Sequence, residues 1–189
     1  MVRTPPVLSG ERVLLRMAVE DDAPAIVEYF ERNRAHLEPL DPTRPPGFYT
    51  CEYWSKRAVT NLTEFFNDQS CRLMLLARDD DDRIIGSVNL SQIVRGPMQA
   101  CYLGYGLDAE HQGRGLMTEA LRLVIAYAFE SLRLHRVMAN YQPTNVRSSA
   151  LLRRLGFAIE GYARDYLYIH GRWADHVLTS LTNEKWAPA

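Results

Sequence analysis

This chain lacks the marks of most specialised protein classes. It carries 3 cysteines, Cys51, Cys71 and Cys101, in 189 residues. So sparse and odd a set builds no disulfide framework and fits a reducing compartment. The histidines stand singly, without a Cys/His pair at metal-ligand spacing, so no metal is expected. No apolar run is long enough to cross a membrane, and the opening MVRTPPVLSGERV has no apolar signal core. A net charge of −1 gives no general pull toward membranes or nucleic acid, and no specific DNA binding is expected. Internal repeats and low-complexity tracts are missing. These absences point to a cytoplasmic protein with a single domain over residues 1–189.

What is present is patterning. Alternation predicts a strand over 11–19, and the acids Glu20, Asp21 and Asp22 open a helix with Ile26, Val27 and Phe30 on one face. Four prolines and a glycine make 38–50 an irregular loop. A helix follows over 52–66. Strands at 71–77 and 83–94 flank the acidic turn 79–82, which reads as a solvated hairpin tip because it lacks the glycine and distal glutamate of a calcium loop. A strand at 99–107 completes a meander. The clearest helix is 116–132, with Met117, Leu121, Val124, Ala128 and Leu132 at helical steps. A strand at 135–141, a helix capped by Asn145 and closed by Gly156, and strands at 157–169 and 173–181 around a His170-Gly171 turn complete the chain. The order predicts an α+β or α/β protein: a mixed sheet flanked by helices, its fourth and fifth strands parallel across a right-handed crossover.

The stretch richest in chemistry is His111-Gln112-Gly113-Arg114-Gly115-Leu116-Met117, at a strand-to-helix junction. Its glycines leave backbone amides uncovered at the positive end of a helix, a seat for phosphate. No Lys-Ser/Thr follows, so this is no P-loop, and without a third glycine or surrounding βαβ unit it is no dinucleotide fold. Alone, Gly-x-Gly also suits a tight turn with no ligand.

The loop has company downstream: Ala139 through Asn145, Ser148, and Leu151 through Phe157. Together these resemble the GNAT acetyltransferase superfamily, with Gln112-Gly113-Arg114-Gly115 in the position of its pyrophosphate loop and Leu155-Gly156-Phe157 in that of its helix ending. Arg34 to Pro39, Ala100 to Tyr105, His135 to Tyr141, Glu160 to Leu167 and Asp175 to Leu181 resemble the RimJ type of ribosomal-protein-alanine N-acetyltransferases. The resemblance spans Leu8 to Trp186. It implies a GNAT fold, a twisted, mostly antiparallel sheet whose fourth and fifth strands splay. It also implies transfer of acetyl from acetyl-CoA to the N-terminal alanine of a ribosomal protein by direct attack in a ternary complex.

The resemblance also distributes roles. Tyr105, Gly106 and Leu107 offer backbone to the pantetheine arm. Gln112, Gly113, Arg114, Gly115, Leu116 and Met117 hold the diphosphate, with Asn145 and Ser148 flanking the cosubstrate. Arg114 either adds charge or faces solvent. Met117 stands where the family has a small residue, so modest crowding is expected. Leu152 occupies the place of the tyrosine that protonates the leaving thiolate in many relatives. Ser148, one turn earlier, is the substitute in RimL-type relatives; its position also suits a helix-start serine bonded to backbone. Asn140 replaces the basic glutamate of a sister family and can orient a water. Leu167 replaces the RimL-type glutamate.

Missing carboxylates fit an N-terminal acceptor on magnitude. An α-amine titrates near 8 and lysine near 10.4, so at pH 7 about a tenth of the former is neutral; the gap is worth ~3.3 kcal/mol. Tyr141, Asp165, Tyr166, Tyr168 and Trp173, with the 36–50 loop, are candidates for the acceptor groove. His135 and His176, set in apolar strands, read as structural. Two other readings remain open: a small-amine (polyamine or aminoglycoside) acetyltransferase, and a ribosome-associated assembly factor using Arg147, Arg153 and Arg154, whose RNA contact would weaken with salt.

Overall fold

The computed structural model describes residues 4–79 and 83–188, so the acidic turn, Asp79 apart, lies outside the described residues. Among the described residues the strands are β1 (Val7–Ser9), β2 (Val13–Arg16), β3 (Cys71–Ala77), β4 (Ile84–Val94), β5 (Ala100–Leu107), β6 (Arg136–Tyr141), β7 (Ala158–Ile169) and β8 (Arg172–Thr182). They form one eight-stranded sheet in the order β1-β2-β3-β4-β5-β6-β8-β7. β5 and β6 pair parallel; the other neighbours pair antiparallel. The helices are α1 (Ala23–Arg32), α2 (Arg34–Leu37), α3 (Cys51–Phe66), α4 (Leu116–Ala126) and α5 (Val146–Arg154).

Both faces of the sheet are covered. On β3, Leu73 and Leu75 join a core with Leu121, Val124 and Leu152 of α4 and α5. Met74 and Leu76, between them, turn to the opposite core with Ile26, Tyr29 and Phe30 of α1 and Trp54 of α3. A strand buried on two sides reads as a continuous apolar run rather than an alternation, which is why 71–77 looks uniformly hydrophobic.

Three departures from the sequence-based expectations have local causes. β1 is an addition; it is three residues long, between Pro6 and Gly10, too short to show a period. The helix expected over 116–132 is α-helical to Ala126 and ends in a π turn, Tyr127–Ser131. The loop expected over 38–50 is preceded by α2 and begins with a 3-10 turn, Glu38–Leu40, which tolerates Pro39 because the first turn of a helix needs no proline N–H.

The feature that positions the site is where β5 and β6 part. They pair only at Ala100↔Arg136, Cys101↔Val137 and Tyr102↔Met138. Beyond this, β5 stays with β4 to Leu107 and β6 stays with β8 to Tyr141. The Gln99 carbonyl accepts from the Arg136 amide at 3.0 Å, and the Asp108 amide donates to the Ile85 carbonyl on the β4 side at 2.7 Å. Strand alternation between these points turns the backbone groups of Leu103, Tyr105 and Leu107 into the split.

Candidate active site

β5 ends in a braced corner. The Asp108 side chain is 1% exposed and accepts from Arg32 of α1 at 2.8 Å and from the Glu110 amide at 3.0 Å. Burial pushes its carboxyl up, but Asn33, the Glu110 amide and Arg32 outweigh burial and leave it below the usual range. After a 3-10 turn, Ala109–His111, the chain passes Gly113 at φ +76 and Gly115 at φ +80, both in the left-handed region that suits glycine. Gly115 is the N-cap of α4 and no side chain caps it; the first helical bond runs from the Glu119 amide to the Gly115 carbonyl. The amides of Leu116, Met117 and Thr118 precede that bond at the positive helix end.

The loop is held from outside. Arg12 donates to the Arg114 carbonyl at 2.9 Å and pairs with Glu119 at 2.9 Å. The Arg114 side chain is exposed. Met117 is 6% exposed and packs in the α4/α5 core, so the expected crowding is absent: its bulk fills the core rather than the loop. Gln112 bridges two helices, accepting from Arg147 of α5 on Oε1 and meeting His36 Nε2 of α2 at 2.6 Å. A guanidinium only donates, so the Gln112 NH₂ faces His36, whose Nε2 accepts.

Across the split, Asn145 caps α5 by accepting from the Ser148 amide at 3.1 Å. The Ser148 hydroxyl turns instead to the Tyr105 hydroxyl, 2.7 Å away. Burial pushes the Tyr105 phenol up to about 12, against the lowering effect of Ser148, so it keeps its proton at neutral pH. Leu152 is 1% exposed, closed into the core. Tyr141 is also buried in this core, its hydroxyl accepting from Ser149 at 3.2 Å, which sets it apart from the other groove candidates.

The opposite mouth of the split gathers other groups. Between Ala163↔His176 and Leu167↔Ala174, residues 164–166 of β7 stand opposite Asp175 alone. This bulge, with Asp165 at φ +48, swings Tyr166 inward. The Tyr166 hydroxyl lies 3.4 Å from that of Tyr102 and accepts from Asn140 Nδ2 at 3.4 Å. Tyr102 is raised by its Tyr166 hydrogen bond and then by burial. Asp165 itself is exposed, its amide donating to Asp175 at 2.9 Å. Tyr168 and Trp173 face each other near the hairpin tip at 5.6 Å, both about half exposed.

That tip docks on the 38–50 loop, the His170 amide donating to the Asp41 carbonyl at 3.2 Å. Between them is a cavity of about 500 Å³, lined among others by Arg34, Glu38, Arg44, Phe48, Tyr49 and His170. Tyr49 donates to Glu38 at 2.7 Å, and Arg44 lies 4.6 Å from the Phe48 ring while pairing with Asp41. The structure thus joins Ser148, Tyr105 and Asn145 on the α4/α5 face and Asn140 and Tyr166 on the other. The hydroxyl of Tyr105, the phenol of Tyr102 and His36 are additions that sequence reasoning misses. Alternation is an available signal for Tyr105, which shares a face of β5 with the core residues Cys101 and Leu103.

Residues 12–158 match the acetyltransferase (GNAT) domain. The chain belongs to the GNAT acetyltransferase family. It is 43% identical over 181 residues to the [ribosomal protein uS5]-alanine N-acetyltransferase of Escherichia coli, covering 96% of this chain and 93% of that one. The crystal structure of the ribosomal-protein-S5-alanine acetyltransferase of Vibrio fischeri superposes with a TM-score of 0.91 at 39% identity, covering 97% of this chain and 100% of that one. Mycobacterium smegmatis RimJ, solved with CoA-disulfide, superposes at 0.87 with 25% identity over 100% of this chain and 91% of that one. The splayed pair expected from the resemblance is β5 and β6 here, shifted by one because β1 precedes it.

Proposed function

We propose that this GNAT enzyme transfers acetyl from acetyl-CoA to the N-terminal alanine α-amine of a ribosomal protein. The observation that carries this reading is the joint in the sheet: a strand pair that opens after Tyr102 and Met138, with glycine-loop amides on one side and a half-buried hydroxyl pair at its mouth. The similarity to the E. coli enzyme supplies the acceptor.

In this mechanism, Leu103, Tyr105 and Leu107 offer backbone partners to the amides of the pantetheine arm. The loop amides from Gly113 to Met117, with Arg114, balance diphosphate charge. Tyr105 and Ser148 form the acid side: Ser148 passes a proton to the departing sulfur and is refilled by the Tyr105 hydroxyl, whose high pKa keeps it protonated. Asn140, Tyr102 and Tyr166 form the acceptor side, three neutral polar groups suited to an amine already partly deprotonated at neutral pH. The cavity between the 38–50 loop and the hairpin tip takes the residues that follow the alanine, and association with the ribosome would bring the acceptor.

The test is free-thiol release from acetyl-CoA with an Ala-starting peptide, the same peptide N-blocked, and polyamines. Release with the free peptide alone is expected. Release with polyamines alone would replace the proposal by a small-amine enzyme, and silence with salt-sensitive ribosome binding would replace it by a binding factor.

A further inference from the structure

Nothing in the acceptor side described above can keep a proton: Asn140 is an amide and both tyrosines are phenols. His176 of β8, which its apolar strand context marks as structural, supplies what is missing. Val177 and Leu181 of β8 pack against the α4/α5 core, so alternation puts His176 on the opposite face, that of Asn140 and Tyr166. Asn140 pairs with Leu178 across β6 and β8. His176 is therefore its diagonal neighbour, at a separation of about 7–8 Å for such pairs. The His176 ring lies 5.7 Å from that of Tyr166.

The imidazole is oriented and its tautomer is set. Nδ1 lies 2.9 Å from the Ala174 carbonyl. A carbonyl only accepts, so Nδ1 carries the hydrogen and, in the neutral ring, Nε2 carries the lone pair. His176 is 4% exposed, yet Nε2 has no protein partner among the described residues and is not one of the sealed unpaired atoms, which are Tyr29 Oη, Arg44 Nε, Asn61 Oδ1, His111 Nδ1 and His135 Nδ1. A buried, tautomer-fixed imidazole with an open lone pair beside the acceptor cluster is the arrangement a general base needs.

We propose that His176 Nε2 is the proton acceptor of the acetyl transfer, reached from the acceptor amine through one water held by Asn140 and Tyr166. This rests on the functional reading above. One ammonium proton passes to Nε2 and then to solvent. The neutral amine forms the C–N bond to the acetyl carbon and the C–S bond breaks. The nitrogen passes its second proton through the same water to Nε2 and on to solvent, while the sulfur gains one from Ser148, which Tyr105 and then solvent refill, so each turnover releases one proton net. The Tyr166 ring of β7 faces His176, and Asp175 of its own strand, which Arg164 also acts on, interacts with it electrostatically. Asp175 is itself bound to Tyr162 and the Asp165 amide.

The test is the rate with an Ala-starting peptide between pH 6.5 and 9 for the native chain and for His176→Gln. Expected is a kcat/KM at least tenfold low at pH 7, narrowing to within threefold at pH 9, where an α-amine of pKa near 8 is mostly neutral without help. KM for acetyl-CoA should not move. A deficit constant across pH, or none, overturns the assignment of His176 alone. No transfer by the native chain overturns the functional reading and this assignment with it. Imidazole ¹⁵N spectra of the native protein give an independent check. The Nε2 resonance should shift when peptide and CoA are added together; an unresponsive Nε2 overturns the proposal even where the variant fails to fold.

Discussion

On the α4/α5 side of the split, the parts come from a short run of chain, Tyr105 to Met117, met by one turn of α5. On the α1/α3 side they come from β5, β6, β7 and β8, joined by a bulge that carries Tyr166 across β8. The first side works with backbone: left-handed glycines and helix-start amides whose direction the local conformation dictates. The second works with side chains whose meeting depends on strand order and on residues 164–166 standing opposite a single partner. A site made of amides tolerates much change in side chains; a site made of phenols, an amide and an imidazole does not.

The largest expected effect concerns the tie between the two sides. Arg32 of α1 holds Asp108 at the end of β5, and Asp108 is 1% exposed. Arg32→Ala leaves that carboxylate buried without its cation, and the loss should be about 3–5 kcal/mol by denaturant titration. Because the Asp108 carboxyl sits below its ordinary value, its contribution is complete above the unfolded pKa near 3.9 and fades as pH falls through the folded value. Melting temperature should therefore hold from pH 7 to 5 and drop below about pH 4, less steeply in Asp108→Asn.

Next comes the backbone side. A Cβ on Gly115 would meet nothing closer than Arg12 Nη2 at 3.6 Å, so space is not the constraint; the φ of +80 is. Gly115→Val should raise the CoA dissociation constant about 30- to 150-fold, since a β-branched residue at such a φ costs about 2–3 kcal/mol or forces the loop elsewhere. Calorimetry reads this directly, and an unchanged affinity would mean that the loop amides do not hold the diphosphate.

The smallest effect separates chemistry from binding. Ser148→Ala should lower kcat at least tenfold with CoA affinity nearly intact. Tyr105→Phe should do the same, and the double variant should lose little more than either alone, because both act through one 2.7 Å hydrogen bond. Additive losses would break the pairing.

Much of the first side is legible in the chain itself. The glycine spacing, the Asn145 cap and the helical period of α4 are short-range signals, and each stands at its expected place in the fold. The expectation of crowding at Met117 fails because spacing along the loop does not say which way a helical residue faces the core. Tyr141, an aromatic next to Asn140, groups with the acceptor candidates by position in the chain; adjacent strand residues point to opposite faces, and it lies in the α4/α5 core.

By itself the sequence determined the order of the longer elements, the parallel crossover, the family and the loop, because each rests on periodicity or on residues within one turn of each other. The tertiary structure alone decided that β5 and β6 separate after three pairs, that Ser148 meets Tyr105 rather than backbone, and that Tyr166 and His176 share a face with Asn140. Those juxtapositions join residues far apart in the chain, and only strand register and a bulge bring them within reach.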